Sequence, residues 1–80
     1  MGGECIKYTL KKSKHYYFLY MKSIHEPKQP TTFLGKSKDL EKLLSCDDIH
    51  TGPRAELRIK GLKLKPGQEA IVQYEDYSWS

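Results

Sequence analysis

Ile6, Tyr8 and Leu10 alternate with Lys7, Thr9 and Lys11, the period of two expected of a strand with one buried face. Residues 15–22, HYYFLYMK, read as a second strand, because tyrosine and phenylalanine favour a pleated surface. The Lys12-Ser13 turn between them lacks the Asn-Gly or Asp-Gly of a two-residue hairpin, so a four-residue loop over 11–14 is expected. It pairs Leu10 with His15. In that register Ile6, Tyr8, Leu10, His15, Tyr17, Leu19 and Met21 share one face. Lys7, Thr9, Lys11, Lys14, Tyr16, Phe18, Tyr20 and Lys22 share the other. The first face reads as core. The second is a row of three rings with lysines at its ends and along the neighbouring strand.

Two prolines within His25 to Pro30 (HEPKQP) mark a loop, since a paired strand does not accept them. Thr31 to Leu34 form a short third strand, antiparallel to the second and ended by Gly35. Ser37 is placed to cap a helix over about 38–46, with Asp39 in its first turn and Leu40, Leu43 and Leu44 on its buried side. Barely two turns long, that helix depends on the sheet for its stability. A loop over Cys46 to Pro53 follows. Ala55, Leu57 and Ile59 then alternate with Arg54, Glu56, Arg58 and Lys60, and Leu62 and Leu64 resume after Gly61, which reads as a bulge. Pro66-Gly67 signals a turn. Ala70, Val72 and Tyr74 against Ile71, Gln73 and Glu75 make the last strand, and the tail YEDYSWS extends it or frays. The expected fold class is α+β: a small antiparallel sheet of four to five strands, in the order β-β-β-α-β-β, with one short helix on one face.

The chain has 80 residues, which makes one domain over 1–80. It holds 38% hydrophobic residues, and exchanging its six tyrosines for its six glycines in the tally leaves that unchanged. Ordinary domains hold about 45–50% on the latter set, so the core is thin and a deep catalytic cleft is hard to build. The net charge is +4, unevenly placed. Residues 1–40 carry eight lysines against three acids, and residues 41–80 six bases against seven acids. Residues 7–22 and 54–65 are the basic stretches, and residues 69–80 hold Glu69, Glu75 and Asp76 with no base. A basic patch marks a surface for polyanions or an acidic partner. The plainer meaning of such charge is solubility.

The ring row is the first candidate for function. Tyr16, Phe18 and Tyr20 can stack successive bases while Lys7, Lys11, Lys14 and Lys22 meet phosphates. The plain reading is that the helix covers this face and the rings are core. The leucine helix should prefer the face of Ile6, Leu10 and Leu19. A protein interface would use the same rings. Arg54, Arg58 and Lys60 are the second candidate: a bulge at Gly61 aligns them with Lys63 and Lys65 as a phosphate-tracking strip. The plain readings are a solvated strand face or an edge guarded by lysines.

Metal and catalytic chemistry find little footing. Cys46, Asp47, Asp48 and His50 cluster, but a structural zinc site shows two paired motifs and only one Cys-x3-His is present. Cys46 with His50, or His15 with Glu26, has no third group to orient it. Gly35-Lys36-Ser37 ends like a phosphate loop, but Pro30 stands where the first glycine belongs. No enzyme, cofactor or metal is expected. The start MGGECIKYTL lacks the apolar core of a signal peptide, Ile6 breaks the myristoylation pattern, and no apolar run is long enough to span a membrane. Two cysteines in that setting read as reduced thiols in the cytoplasm. The expectation is a non-enzymatic binding protein that contacts nucleic acid, single strands above all, through the hairpin face. The alternative is an inhibitor or adaptor that binds a protein of a nucleic-acid-processing complex. Small phage and mobile-element products of the anti-CRISPR kind are class-level analogies for it, and the acidic tail, which repels a polyanion, favours it.

Overall fold

The computed structural model describes residues 4–24, 30–47 and 49–76. Of the expected features, most of the HEPKQP loop, Asp48 and the last four residues of the tail lie outside this set. Six elements follow in order: β1 (Glu4–Lys12), β2 (Tyr17–Ser23), β3 (Thr32–Ser37), α1 (Leu40–Leu44), α2 (Thr51–Leu62) and β4 (Glu69–Asp76). The strands form one antiparallel sheet in the order β3-β2-β1-β4. Both helices pack on one face of it, so the protein has a small α+β fold. Leu40, Leu43 and Leu44 of α1, Ile49, and Leu57 of α2 close over Tyr8, Leu10, Leu19 and Val72.

The hairpin register differs from the expected one. Leu10 pairs with Leu19 and Lys12 with Tyr17, so the loop is 13–16 and His15 sits in it, exposed. The cause is Ser13. Its hydroxyl accepts from the Tyr16 amide at 3.1 Å and donates to the Tyr16 carbonyl at 3.2 Å, while its own amide reaches that carbonyl at 2.8 Å. The shift is even in residue number, so no strand residue changes face.

β3 runs past Gly35 and carries a bulge. Tyr20 pairs with Phe33 but Leu19 pairs with Gly35, which leaves Leu34 as the extra residue. Because paired residues share a face, the bulge sends Phe33 and Lys36 to the side away from the helices. Leu34 packs against the core. The helix cap is Asp39, not Ser37: the Asp39 carboxylate accepts from the Glu41 amide at 3.0 Å, and Ser37 stands two residues earlier, its hydroxyl accepting from the Asp39 amide at 3.0 Å.

The segment expected as a strand over 54–65 is helix α2. Its buried positions are Pro53, Leu57 and Gly61, spaced by four, whereas the alternating Ala55 and Ile59 are exposed. Arg, Ala, Glu, Leu and Lys all favour helix, Glu56 and Lys60 face each other one turn apart at 3.8 Å, and proline is tolerated in a first turn. Gly61 is therefore a contact residue, not a bulge: a Cβ there would stand 2.7 Å from Leu40 Cδ2 and 2.9 Å from Leu10 Cδ2. Beyond α2, Gly67 at φ 90° forms with Pro66 a turn closed by the Gln68 amide on the Lys65 carbonyl at 3.0 Å. That conformation favours glycine after proline.

Candidate functional site

With both helices on one side, the other face of the sheet is left without a covering layer among the described residues. Its residues follow from the register in rows across the strands. One row is Glu69, Lys11, Phe18 and Lys36. The next is Ile71, Thr9, Tyr20 and Phe33, and the third begins Gln73, Lys7 and Lys22. Phe18 and Tyr20 are half-buried, while Phe33 is 52% exposed and Ile71 45%.

The rings meet in two pairs. Tyr16 and Phe18 have centroids 6.4 Å apart, and Tyr20 and Phe33 5.3 Å apart, each tilted by 49°. Tyr16 belongs to the hairpin loop, not to the strand, and reaches the face through its contact with Phe18. Lysines surround the rings. The Lys11 ammonium lies 5.4 Å from the Tyr20 centroid, and those of Lys36 and Lys38 lie 5.2 and 5.6 Å from the Tyr16 centroid. These distances are within the roughly 6 Å range at which the ring quadrupole attracts a cation. None of these lysines makes a salt bridge among the described residues. Two ammonium groups beside one ring, with no carboxylate paired to them there, leave positive potential available to an anion.

Open hollows lie along this face. One of about 430 Å³ is bordered by Lys7, Lys11, Tyr20, Lys22, Phe33 and Ile71 among others. Chemically the face offers flat apolar surfaces for stacking and exposed ammonium groups for phosphate.

Of the candidate residues, Lys7, Lys11, Phe18, Tyr20 and Lys22 share this face and Tyr16 adjoins it. Lys14 is exposed in the hairpin loop. Arg54, Arg58 and Lys60 are not brought to it: they sit on α2, in the other layer. The Arg54 guanidinium donates to the Cys46 and Ile49 carbonyls at 3.0 and 2.9 Å, pinning the loop before the helix. Arg58 donates to Glu41 at 2.6 Å, and the hydrogen bond and charge of Glu41 raise its already high pKa. Lys60 donates to the Ile71 carbonyl at 3.1 Å. The phosphate-tracking strip therefore does not form, because helical winding replaces the bulged strand that would align it.

Phe33, Lys36 and Lys38 join the site without a signal of their own in the sequence. Phe33 reads as a strand residue, but only the bulge at Leu34 fixes its direction. Lys36 and Lys38 read as parts of a turn and a helix start, and the extension of β3 past Gly35 brings them to the rings. The His50 and Tyr74 rings stack at 4.6 Å and join the loop before α2 to β4. Among the described residues no group of three His, Cys, Asp or Glu side chains is placed to hold a metal ion, and no helix is long and apolar enough to cross a membrane. Comparison with family models, curated proteins and solved structures finds no match to this chain.

Proposed function

We propose that this chain is a non-enzymatic binding protein that holds single-stranded nucleic acid on the helix-free face of its sheet. The observation that carries the reading is the group of four rings, Tyr16, Phe18, Tyr20 and Phe33, set among lysines without a salt-bridge partner among the described residues. Bases of any identity present a π surface to such rings, and the lysines track the backbone. The reading places the protein in the cytoplasm, where nucleic acid and reduced thiols coexist.

The test is a fluorescence anisotropy titration of labelled oligonucleotides at low salt. Binding is expected, weakening with added salt with a logarithmic slope near −3 if about four phosphates are met on a single strand. Tyr20→Ala should weaken it about five- to 150-fold, the range of one missing stacking platform at about 1–3 kcal/mol. His50→Ala, in the opposite layer, should leave it unchanged. Absence of binding to any DNA or RNA at low salt ends the reading.

A second reading has its own support. Ala55, Ile59 and Leu62 stand at i, i+4 and i+7 on the solvent side of α2, Ile59 59% and Leu62 73% exposed. Such spacing is how a helix enters a partner's groove, which suits an inhibitor or adaptor directed at a nucleic-acid-processing protein, phage-encoded ones included. Capture from lysate that survives nuclease treatment and is abolished in Leu62→Glu would favour it over the first.

A further inference from the structure

Glu69 is the residue that stacking and phosphate binding leave without a role. A hollow of about 480 Å³ lies at the end of the sheet between the hairpin loop and the turn before β4, lined by Lys11, Phe18, Tyr20, Gln68 and Glu69 among others. Glu69 lines the neighbouring hollow as well. Among the described side chains bordering these hollows it is the acid among several lysines. It stands directly across from Lys11 in the register, yet the two make no salt bridge among the described residues. The Lys11 ammonium is drawn over the Tyr20 ring instead. The Glu69 carboxylate is thus exposed and open to a partner beside an aromatic wall. Gln68 is partly committed, its side-chain oxygen accepting from the Lys65 amide at 2.9 Å.

An ionised carboxylate only accepts hydrogen bonds. On a face that attracts phosphate it opposes the backbone, so the group that suits it is a pair of donors. In a single strand the Watson–Crick edge of a base is free to be read. Guanine presents N1–H and N2–H side by side there, two donors matched to two carboxylate oxygens, with O6 next to them for the Lys11 ammonium. Adenine and cytosine present one amino donor beside an acceptor nitrogen. Thymine and uracil present one N–H between two carbonyl oxygens, which a carboxylate repels.

We infer that this hollow is a nucleobase site, walled by Phe18 and Tyr20, in which Glu69 selects guanine. The inference rests on the nucleic-acid reading and deepens it: the rings and lysines supply affinity, and Glu69 supplies base preference at the cost of some affinity. One carboxylate then has two opposite effects, and that separates selection from simple repulsion.

The experiment uses the full chain and fluorescein-labelled hexathymidylate, alongside the same probe with its two central bases replaced by guanine or by hypoxanthine. Wild type should bind the guanine probe about fivefold tighter than the thymine probe, the low end of what a bidentate contact discriminates. The hypoxanthine probe, which lacks the N2 amino group, should fall between. Glu69→Gln should bind the thymine probe more tightly than wild type does and prefer guanine by less than about twofold, since an amide offers a donor where guanine needs a second acceptor. Competition by guanosine monophosphate, with none by thymidine monophosphate, would locate the preference in the free nucleotide; competition by neither, with the preference intact, would locate it in the strand. Both results uphold the assignment to guanine. Equal affinity of wild type for the thymine and guanine probes overturns it. So does a Glu69→Gln variant that tightens both equally, which would make Glu69 a repulsive charge and nothing more. Failure to bind any probe removes the nucleic-acid reading itself and the base site with it, and is distinct from binding without preference. Circular dichroism of Glu69→Gln confirms that the comparison is between folded proteins.

Discussion

Gly61→Ala should destabilise this protein, although every helix scale says the opposite. In an exposed helix interior the exchange gains about 1 kcal/mol. At this position the new methyl would stand 2.7 Å from Leu40 Cδ2, 2.9 Å from Leu10 Cδ2 and 3.2 Å from Leu40 Cδ1. Carbon atoms pack best at about 3.5–4.0 Å, so the two nearest atoms are too close by more than half an ångström. They are the ends of side chains, but neither is free to swing aside. Leu10 is fully buried and Leu40 6% exposed, and both belong to the cluster that includes Leu19, Leu44 and Leu57. Relief requires α2 to lift from the sheet or the leucines to repack. An extra methyl in a filled core costs about 1–3 kcal/mol. Against the propensity gain, the net destabilisation is about 1 kcal/mol, which in a domain of this size lowers Tm by about 4–8 °C.

The same helix supplies the control. A Cβ at Gly52 would meet nothing within 4 Å, so Gly52→Ala keeps the propensity gain without the clash and should raise Tm. Thermal and urea unfolding followed by far-ultraviolet circular dichroism reads both. Opposite signs are expected from one substitution in one helix. If Gly61→Ala were as stable as the parent or more so, α2 would not be seated on Leu10 and Leu40 as described, and the closure of the helix layer over the sheet would need a different explanation.

Arg54→Ala should cost about 2 kcal/mol, because hydrogen bonds from a charged group are worth about 1.5–3 kcal/mol and this guanidinium holds the Cys46 and Ile49 carbonyls together; urea unfolding measures it, and oligonucleotide affinity should not change. Lys36→Ala with Lys38→Ala should weaken binding alike for all sequences and make the salt slope shallower by about 0.7 for each phosphate that is no longer neutralised, checked by repeating the anisotropy titration at several salt concentrations. Ile59→Ser and Leu62→Ser should each change stability by less than about 0.5 kcal/mol, as exposed positions do, and thermal unfolding would expose any hidden packing role. Ser13→Ala should lower Tm by several degrees because it removes the hydroxyl that closes the hairpin loop, one such net hydrogen bond being worth about 1 kcal/mol.

The first half of the fold is legible in the sequence because its signals agree. Ile6, Tyr8 and Leu10 alternate cleanly, and so do Tyr17, Leu19 and Met21. Sliding the pairing by an even number leaves every strand residue on its proper face, since only an odd slip exchanges faces. The segment 54–65 misleads because two periods overlap in it. Ala55, Leu57 and Ile59 satisfy a period of two, and Pro53, Leu57 and Gly61 a spacing of four. The second set is hard to see because proline and glycine do not register as core residues. The deciding information lies in the residues between them: a run of strong helix formers with Glu56 and Lys60 one turn apart. Lys36 and Phe33 are beyond reach for another reason. Their common direction depends on the bulge at Leu34, and a bulge is settled by how a strand fits its neighbour, not by its own sequence.

The helix layer and the open face have different physical bases, and this bears on why the rings remain where they are. Stability comes from one side: the fully buried side chains, Tyr8, Leu10, Leu19, Leu44, Leu57 and Val72, all belong to the sheet's helix-facing side or to the helix layer. The rings of the other side pair with one another, and the ammonium groups of Lys11, Lys36 and Lys38 lie over Tyr20 and Tyr16. Tilted ring pairs of this kind add about 0.5–1.5 kcal/mol beyond the area they cover, modest against the roughly 2–5 kcal/mol of a large-to-small change in a filled core. Substitutions on the two faces share few neighbours, so their effects should add. Substitutions on the open face should therefore come at little expense to the fold.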